Sequence, residues 1–128
     1  IIFTKERFYL IDPRGFNNGE YSVNILYEFA KLRHSIISMY DILNMDLATF
    51  EFKKNNYFNL IDIPNKSYLL LRDLYFNLLA DFALDDQIIK VVECSLFLSM
   101  LPLHTENLTK ILSFYLKFSS LLEEINNE

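Results

Sequence analysis

The residues best suited to chemistry by type and spacing are two adjacent carboxylate pairs, Asp85-Asp86 and Glu123-Glu124. Paired carboxylates perform general acid and base catalysis when burial separates their pKa values. Here each pair lies at the end of a predicted helix in polar surroundings, where a carboxylate acts as a solvated cap or belongs to an exposed helix end. We therefore expect neither pair to be catalytic.

The histidines and the single cysteine lack partners at the spacing of a metal site. His34 and His104 have no Cys, Asp or Glu at a ligand spacing such as HExxH. Cys94 lies in an apolar helical run and has no second cysteine to pair with. These observations predict a buried thiol, a reduced intracellular compartment (cytoplasmic or nuclear), and a protein without metal or cofactor.

Composition excludes several further classes of function. The net charge is −5 and the basic residues are scattered, which argues against a nucleic-acid surface. The chain has two glycines and contains no GxxxxGK[ST], GxGxxG or GxSxG motif, so phosphate-loop chemistry is not expected. The apolar runs are interrupted by charges or end at Pro102, short of the roughly 20 residues that a membrane span needs.

Length and periodicity predict an all-α fold. The 128 residues, 52% of them hydrophobic, suit one domain with its own core. Because the chain starts at Ile1 rather than at a methionine, we expect this domain to be a fragment of a longer protein. We predict a single helical domain over residues 1–128, with a short extended N-terminal arm and about five helices: about 20–43, 47–53, 66–83, 87–101, and a last helix capped by Thr105.

The same periodicity predicts which helix faces are buried. In the first helix the predicted core face is Ile25, Phe29, Leu32, Ile36, Tyr40 and Leu43. The third helix is apolar almost all round and is predicted to be central, whereas the fourth exposes Asp86, Lys90 and Glu93. The last helix has the cleanest stripe, predicted to pack on the core: Leu108, Ile111, Leu112, Tyr115, Phe118 and Leu122, opposite Glu106, Lys110, Ser113, Lys117, Ser120 and Glu124.

Four aromatic residues surround a polar loop and form the candidate partner-binding site. They are Phe50, Phe52, Tyr57 and Phe58, on either side of Lys53-Lys54-Asn55-Asn56. Aromatic anchors bordered by polar groups are typical of binding hot spots. The alternative is that these rings close the core beneath the loop.

The order of residues between 63 and 124 resembles the C-terminal half of the Rho GTPase-activating (RhoGAP) domain. A similar helix pair occurs in the GAP-like C-terminal region of DEP-domain proteins. The residues that carry the resemblance are Ile63-Pro64 with Tyr68, then Leu101-Pro102, then Asn107-Leu108 with Ile111-Leu112, Phe114 and Leu121. The resemblance implies a helical domain and makes a small GTPase one candidate partner.

The chain departs from that family at the residue that performs its catalysis. A working RhoGAP domain carries an arginine finger in a Gly-rich loop, and Arg14 is the only loop arginine here that adjoins a glycine, in surroundings that do not match. Because the finger contributes roughly 10³ to 10⁵ in GTPase rate, we expect no catalysis. We predict a non-catalytic protein–protein interaction domain, an adaptor or assembly module. The alternatives are a viral Bcl-2-like groove that binds a partner's helix and an active GTPase activator.

Overall fold

Helices form the body of the molecule. A computed structural model describes residues 24–47, 49–52, 58–61 and 66–127, together with four two-residue strands nearer the N-terminus; side chains are described for 24–47 and 69–127. This part of the chain contains five α-helices: α1 (Ile25–Ile36), α2 (Tyr40–Asn44), α3 (Lys66–Asp81), α4 (Asp86–Met100) and α5 (Leu108–Asn127). The 3₁₀ turn Leu101–His104 continues α4 through Pro102. The predicted all-α helical domain is confirmed.

Short hairpins accompany the helices. Four strands pair as β1 (Ile2–Phe3) with β2 (Phe8–Tyr9) and as β3 (Phe16–Asn17) with β4 (Glu20–Tyr21). The predicted helix over 47–53 is wrong, because β5 (Thr49–Phe52) pairs there with β6 (Phe58–Ile61) in antiparallel register. The sequence Thr-Phe-Glu-Phe is β-branched and aromatic with alternating polarity, which favours a strand over a single helical turn.

The long first helix predicted over 20–43 is also divided. Asn24 caps α1, its Oδ1 accepting a hydrogen bond from the Leu26 amide at 3.0 Å. The helix ends after Ile36, and Met39 adopts a left-handed conformation with φ of 54° before α2 begins. The preceding segment Ser35–Ser38 combines two serines with two β-branched isoleucines, which have weaker helix propensity than straight-chain residues.

Helix α4, not α3, is the centre of the fold. It packs against α1 on one side and against α5 on the other, whereas α3 packs against α1. The prediction that α3 is central is therefore wrong, and much of its apolar surface faces outward. The turn before α5 is tied to the turn that follows α2, because the Asn107 side-chain amide donates to Asp46 Oδ2 at 2.9 Å. Asn107 also caps α5 through a hydrogen bond from the Lys110 amide, in place of the predicted Thr105.

Two apolar clusters fill the interior on either side of the middle of α4. The first joins α1, α3 and α4 through Phe29, Ala30, Tyr75, Leu79 and Ile89. The second joins α2, α4 and α5 through Leu43, Cys94, Phe97, Phe114 and Leu121. The predicted burial of the Cys94 thiol is confirmed.

The face predicted for the first helix is confirmed at Phe29 and Leu43, which are buried, and at Ile36 and Tyr40, which pack against the clusters. The remaining predictions for α1, and much of those for α4 and α5, are wrong. In α1 the buried residues are Phe29, Ala30, Arg33 and His34, while Ile25 and Leu32 are exposed. In α4, Lys90 and Glu93 are buried instead of exposed. In α5 the buried residues are Ser113, Phe114 and Leu121, while three members of the predicted core stripe are exposed: Leu108, Tyr115 and Leu122.

The loss of stability on truncating an α5 side chain to alanine should depend on whether that side chain is buried in the structure. Phe114 is fully buried, so Phe114→Ala should lower the free energy of unfolding by about 3–5 kcal/mol through cavity formation. Leu108→Ala, on the exposed face of the same helix, should change it by less than about 0.5 kcal/mol. Urea denaturation of both variants tests this, and equal losses would contradict the assignment of the faces.

Candidate functional site

A network of charged side chains is buried where α1, α3 and α4 meet. We refer to Arg33, Tyr75, Asp86, Lys90 and Glu93 as the buried charge network. Arg33 donates through Nε to Asp86 Oδ1 at 3.1 Å and through Nη1 to Glu93 Oε2. The Tyr75 hydroxyl donates to the same Asp86 oxygen at 3.3 Å, and Lys90 Nζ lies 4.0 Å from Asp86 Oδ2. The network thus links three helices with two cations and two carboxylates.

Burial sets the electrostatics of this network. The Glu93 side chain is 0% exposed and that of Arg33 is 4% exposed. Burial raises the pKa of the Glu93 carboxyl, and the opposite charge of Arg33 limits that rise. Burial alone would lower the pKa of Arg33, but the charges of Glu93 and Asp86 outweigh it and raise that pKa. The charge of Lys117 also favours the charged form of Glu93, so the electrostatic influence on this carboxyl extends to α5.

Helix periodicity explains why the network forms on α4. Asp86, Lys90 and Glu93 are spaced four and three residues apart, which places them on one helix face. The face continues into Cys94 and Phe97, both buried. The prediction that these charged residues are exposed is wrong at Lys90 and Glu93, because they share a helix face with the buried Cys94 and Phe97. The apolar residues that follow on the same face are the sequence signal that indicates burial.

A cleft opens beside the network, between α1, α2 and the C-terminal end of α4. Its volume is about 560 Å³, within the range of roughly 300–1,000 Å³ typical of ligand sites. No residue of the buried charge network lines it. The lining residues are Tyr27, Lys31, His34, Ser35, Tyr40, Asp41, Leu96, Ser99, Met100 and Leu103.

His34 is the most perturbed group in this cleft. Its ring stacks on Tyr40 with centroids 4.3 Å apart and lies 4.2 Å from the centroid of Phe97. Burial lowers its pKa to about 4, so the ring is neutral at neutral pH. Its buried Nε2 has no hydrogen-bond partner among the described residues.

The hydroxyl of Ser99, in the lining of this cleft, is bonded within its own helix. It donates to the Leu96 carbonyl at 2.7 Å rather than to a base. Among the residues whose side chains are described, no three His, Cys, Asp or Glu lie close enough to hold a metal ion. Of the predicted non-catalytic carboxylates, Asp85 caps α4 through the Gln87 amide at 2.8 Å, while Asp86 belongs to the buried charge network.

The structure brings three of the four predicted partner-binding aromatics to one hairpin. Phe50 and Phe52 lie on β5 and Phe58 on β6, with Phe52 and Phe58 directly opposite in the register. The fourth, Tyr57, lies outside the described residues, as do Arg14 and the Ile63-Pro64 pair of the RhoGAP resemblance. The hairpin adjoins the helical body, because β6 contacts α5.

One helical segment of the described chain has the length and hydropathy of a membrane span. It runs from Asp86 to His104, with a mean hydropathy of 1.2 over its most apolar window and 28% of that window buried inside the fold. Core helices of globular proteins meet the same two criteria. Length and hydropathy therefore do not by themselves assign this segment to a membrane.

Removing one partner of the buried ion pair should be far more damaging than removing both. Arg33→Met leaves the Glu93 charge without its main partner and should lower the free energy of unfolding by about 3–5 kcal/mol. Arg33→Met combined with Glu93→Leu should recover most of that loss. Lys31→Met is the control, since Lys31 is a half-exposed α1 residue whose Nζ lies 3.7 Å from Glu28 Oε1, and this pair should contribute about 0.5 kcal/mol or less. A double variant as unstable as the sum of its single variants would contradict this account.

The buried His34 should make stability depend on pH in the mildly acidic range. The unfolded chain protonates this residue near pH 6.5 and the folded protein only near pH 4. The unfolded chain therefore binds more protons in between, and the free energy of unfolding should fall by about 3 kcal/mol as the pH drops through that window. This pH-dependent loss of stability should be absent in His34→Gln, whereas His104→Gln should retain it. Urea titrations at several pH values test this, and equal slopes in wild type and His34→Gln would refute it.

Comparisons with protein-family models, with curated proteins and with solved structures found no match for this chain.

Proposed function

We propose that this chain is a non-catalytic protein–protein interaction domain that binds a basic amphipathic helix of a partner protein on the outer side of α3. The observation that carries the proposal is the apolar surface of α3. Its exposed leucines are Leu69, Leu70, Leu71 and Leu74, with Leu70 74% exposed. Exposed apolar side chains grouped on one element are typical of interaction sites.

The spacing of these leucines fits a helical partner. Leu70 and Leu74 are followed at the same four-residue spacing by the half-buried Leu78, which packs against the first apolar cluster. Leu71 lies three residues before Leu74, so these side chains form a stripe along one flank of α3. A stripe of this kind accepts the apolar face of another helix.

Charge indicates which helix would bind. The stripe is bordered by the exposed acidic residues Asp73 and Asp81, and the chain as a whole carries a net charge of −5. Lysines or arginines beside the apolar face of the partner would complement these carboxylates and accelerate association. An acidic amphipathic helix would be repelled.

The proposal of a non-catalytic role is supported by the geometry of the ionisable groups. In the buried charge network the cations and carboxylates pair with one another. The His34 ring stacks on Tyr40 and contacts the tilted ring of Phe97. Groups arranged in this way position helices.

Binding of a synthetic peptide tests the proposal. A peptide of about 18 residues, roughly five helical turns, with leucines at helical spacing and lysines elsewhere should bind the chain in fluorescence anisotropy. Leu70→Asp with Leu74→Asp should weaken binding at least about tenfold, the equivalent of about 1.4 kcal/mol. Asp73→Asn with Asp81→Asn should reduce the salt dependence of binding.

Two controls make the result specific. A peptide of the same composition with scrambled spacing should not bind. Leu98→Asp, on the exposed outer face of α4, should leave binding unchanged. Equal binding of the two peptides, or an equal loss in Leu98→Asp, would overturn the proposal, as would failure of the wild-type chain to bind.

A further inference from the structure

The short joint between α1 and α2 has an unfavourable backbone geometry. Ile37 at the C-terminal end of α1 keeps a helical conformation, and the amides of Ile37 and Ser38 both donate to the Arg33 carbonyl, at 2.7 and 3.1 Å. Met39 then adopts φ of 54° and ψ of 38°, and its side chain makes no capping hydrogen bond to α2. Residues other than glycine are disfavoured in this left-handed region, because their Cβ approaches the following carbonyl oxygen. The joint therefore carries backbone strain.

Joining the two helices into one would relieve this strain. No glycine or proline occurs between Ile25 and Asn44, so the sequence permits a continuous helix over this range. Such a helix would return Met39 to right-handed dihedral angles, and each amide of the joint would donate to the carbonyl four residues earlier. It would contain about 20 residues and be roughly 30 Å long.

Helix α2 is anchored independently of α1. Leu43 is buried in the second cluster, and the ring centroid of Tyr40 lies 5.7 Å from that of Phe114 on α5. With α2 held in this way, straightening of the chain at Met39 would move α1 rather than α2. The movement would uncover the face of α4 that carries Glu93.

That face of α4 is specific for α1. The Glu93 side chain is 0% exposed and pairs there with Arg33, and a buried carboxylate without its partner is strongly destabilising. Phe29 and His34 pack on either side of this pair, against the first and second clusters. The α1 helix of a second copy supplies the cation and both rings at the required spacing.

We propose that two copies of this chain exchange α1 about the joint at Met39 and form a domain-swapped dimer. In this dimer α1 of each copy packs on α3 and α4 of the other, while α2 stays on its own α4 and α5. The contacts of α1 are remade between copies, including Arg33 with Glu93. Short strained hinges favour such an exchange. The exchange does not use the outer side of α3, so it is independent of the proposed function.

Substitutions at the joint test the exchange. After refolding from urea at high protein concentration, light scattering should detect a species with twice the monomer mass of 15.2 kDa, and refolding at low concentration should give monomer. Met39→Gly should weaken dimer formation at least about tenfold, because glycine accepts positive φ and disfavours the continuous helix. Met39→Val should strengthen it, because β-branched residues resist positive φ.

Met45→Gly is the matched control for these variants. Met45 has φ of −86° and lies at the other end of α2, so this substitution should leave the dimer fraction unchanged. A chain that is monomeric after refolding at every concentration would overturn the proposal, as would equal effects of Met39→Gly and Met45→Gly.

Complementation between two variants distinguishes exchange of α1 from any other dimer. Arg33→Met and Glu93→Leu each remove one partner of the buried ion pair, which destabilises the fold. When the two variants are unfolded and refolded together, the exchanged dimer has one interface that keeps both Arg33 and Glu93 and one that has neither. The mixture should therefore melt at a higher temperature than either variant alone, and native mass spectrometry should detect the mixed dimer.

The reciprocal mixture is the control for complementation. Wild type refolded with the variant that carries both Arg33→Met and Glu93→Leu should form no mixed dimer, because each interface would then lack one partner of the ion pair. A complementing mixture that melts like its separate components, or a mixed dimer in this control, would overturn the proposal.

Discussion

The ion pair between Arg33 of α1 and Glu93 of α4 is the constraint on which the rest of the fold depends. An unpaired charge in an apolar interior costs several kcal/mol, so these two helices are held at the separation and rotation that bring the guanidinium and the carboxylate together. Separating the two groups would leave an uncompensated buried charge, which disfavours other packings of α1 on α4. The ion pair therefore leaves few alternative ways for α1 to pack on α4.

That constraint determines where the apolar clusters lie. Glu93 falls between Ile89 of the first cluster and Phe97 of the second along one face of α4. Each cluster therefore packs against its own part of α4, and the charge network separates them. Tyr75 belongs to both the first cluster and the buried charge network, because its ring packs in the cluster and its hydroxyl donates to Asp86. His34 extends the second cluster towards the cleft through its ring contact with Phe97.

The rotation of the helices around this network also explains the exposed apolar surfaces. Burying Arg33 and His34 turns Ile25 and Leu32 of α1 outward. Burying Phe114 and Leu121 likewise turns outward three residues of α5: Leu108, Tyr115 and Leu122. Within the described part of the chain, helix α3 packs on the core through the side that carries Tyr75 and Leu79. The interior therefore contains charged residues, while large apolar residues lie at the surface.

The sequence by itself determined the fold class, the existence and approximate limits of α3, α4 and α5, and the burial of Cys94, because helical periodicity and turn residues are local signals. It determined only in part which helix faces are buried: Phe29 and Leu43 were expected in the core, whereas Arg33, Lys90 and Glu93 were not. Periodicity predicts that the most apolar stripe of a helix is buried, such as Leu108 to Leu122. Burial depends instead on which neighbouring elements cover the helix. Only the tertiary structure brings Arg33 to Glu93, and this pairing places a charged helix face in the interior. The hairpin of β5 and β6 was missed for a related reason: a four-residue strand is defined by its pairing partner rather than by its own sequence. The cleft is also a product of tertiary structure, since its lining comes from α1, α2 and α4, whose juxtaposition no local pattern records.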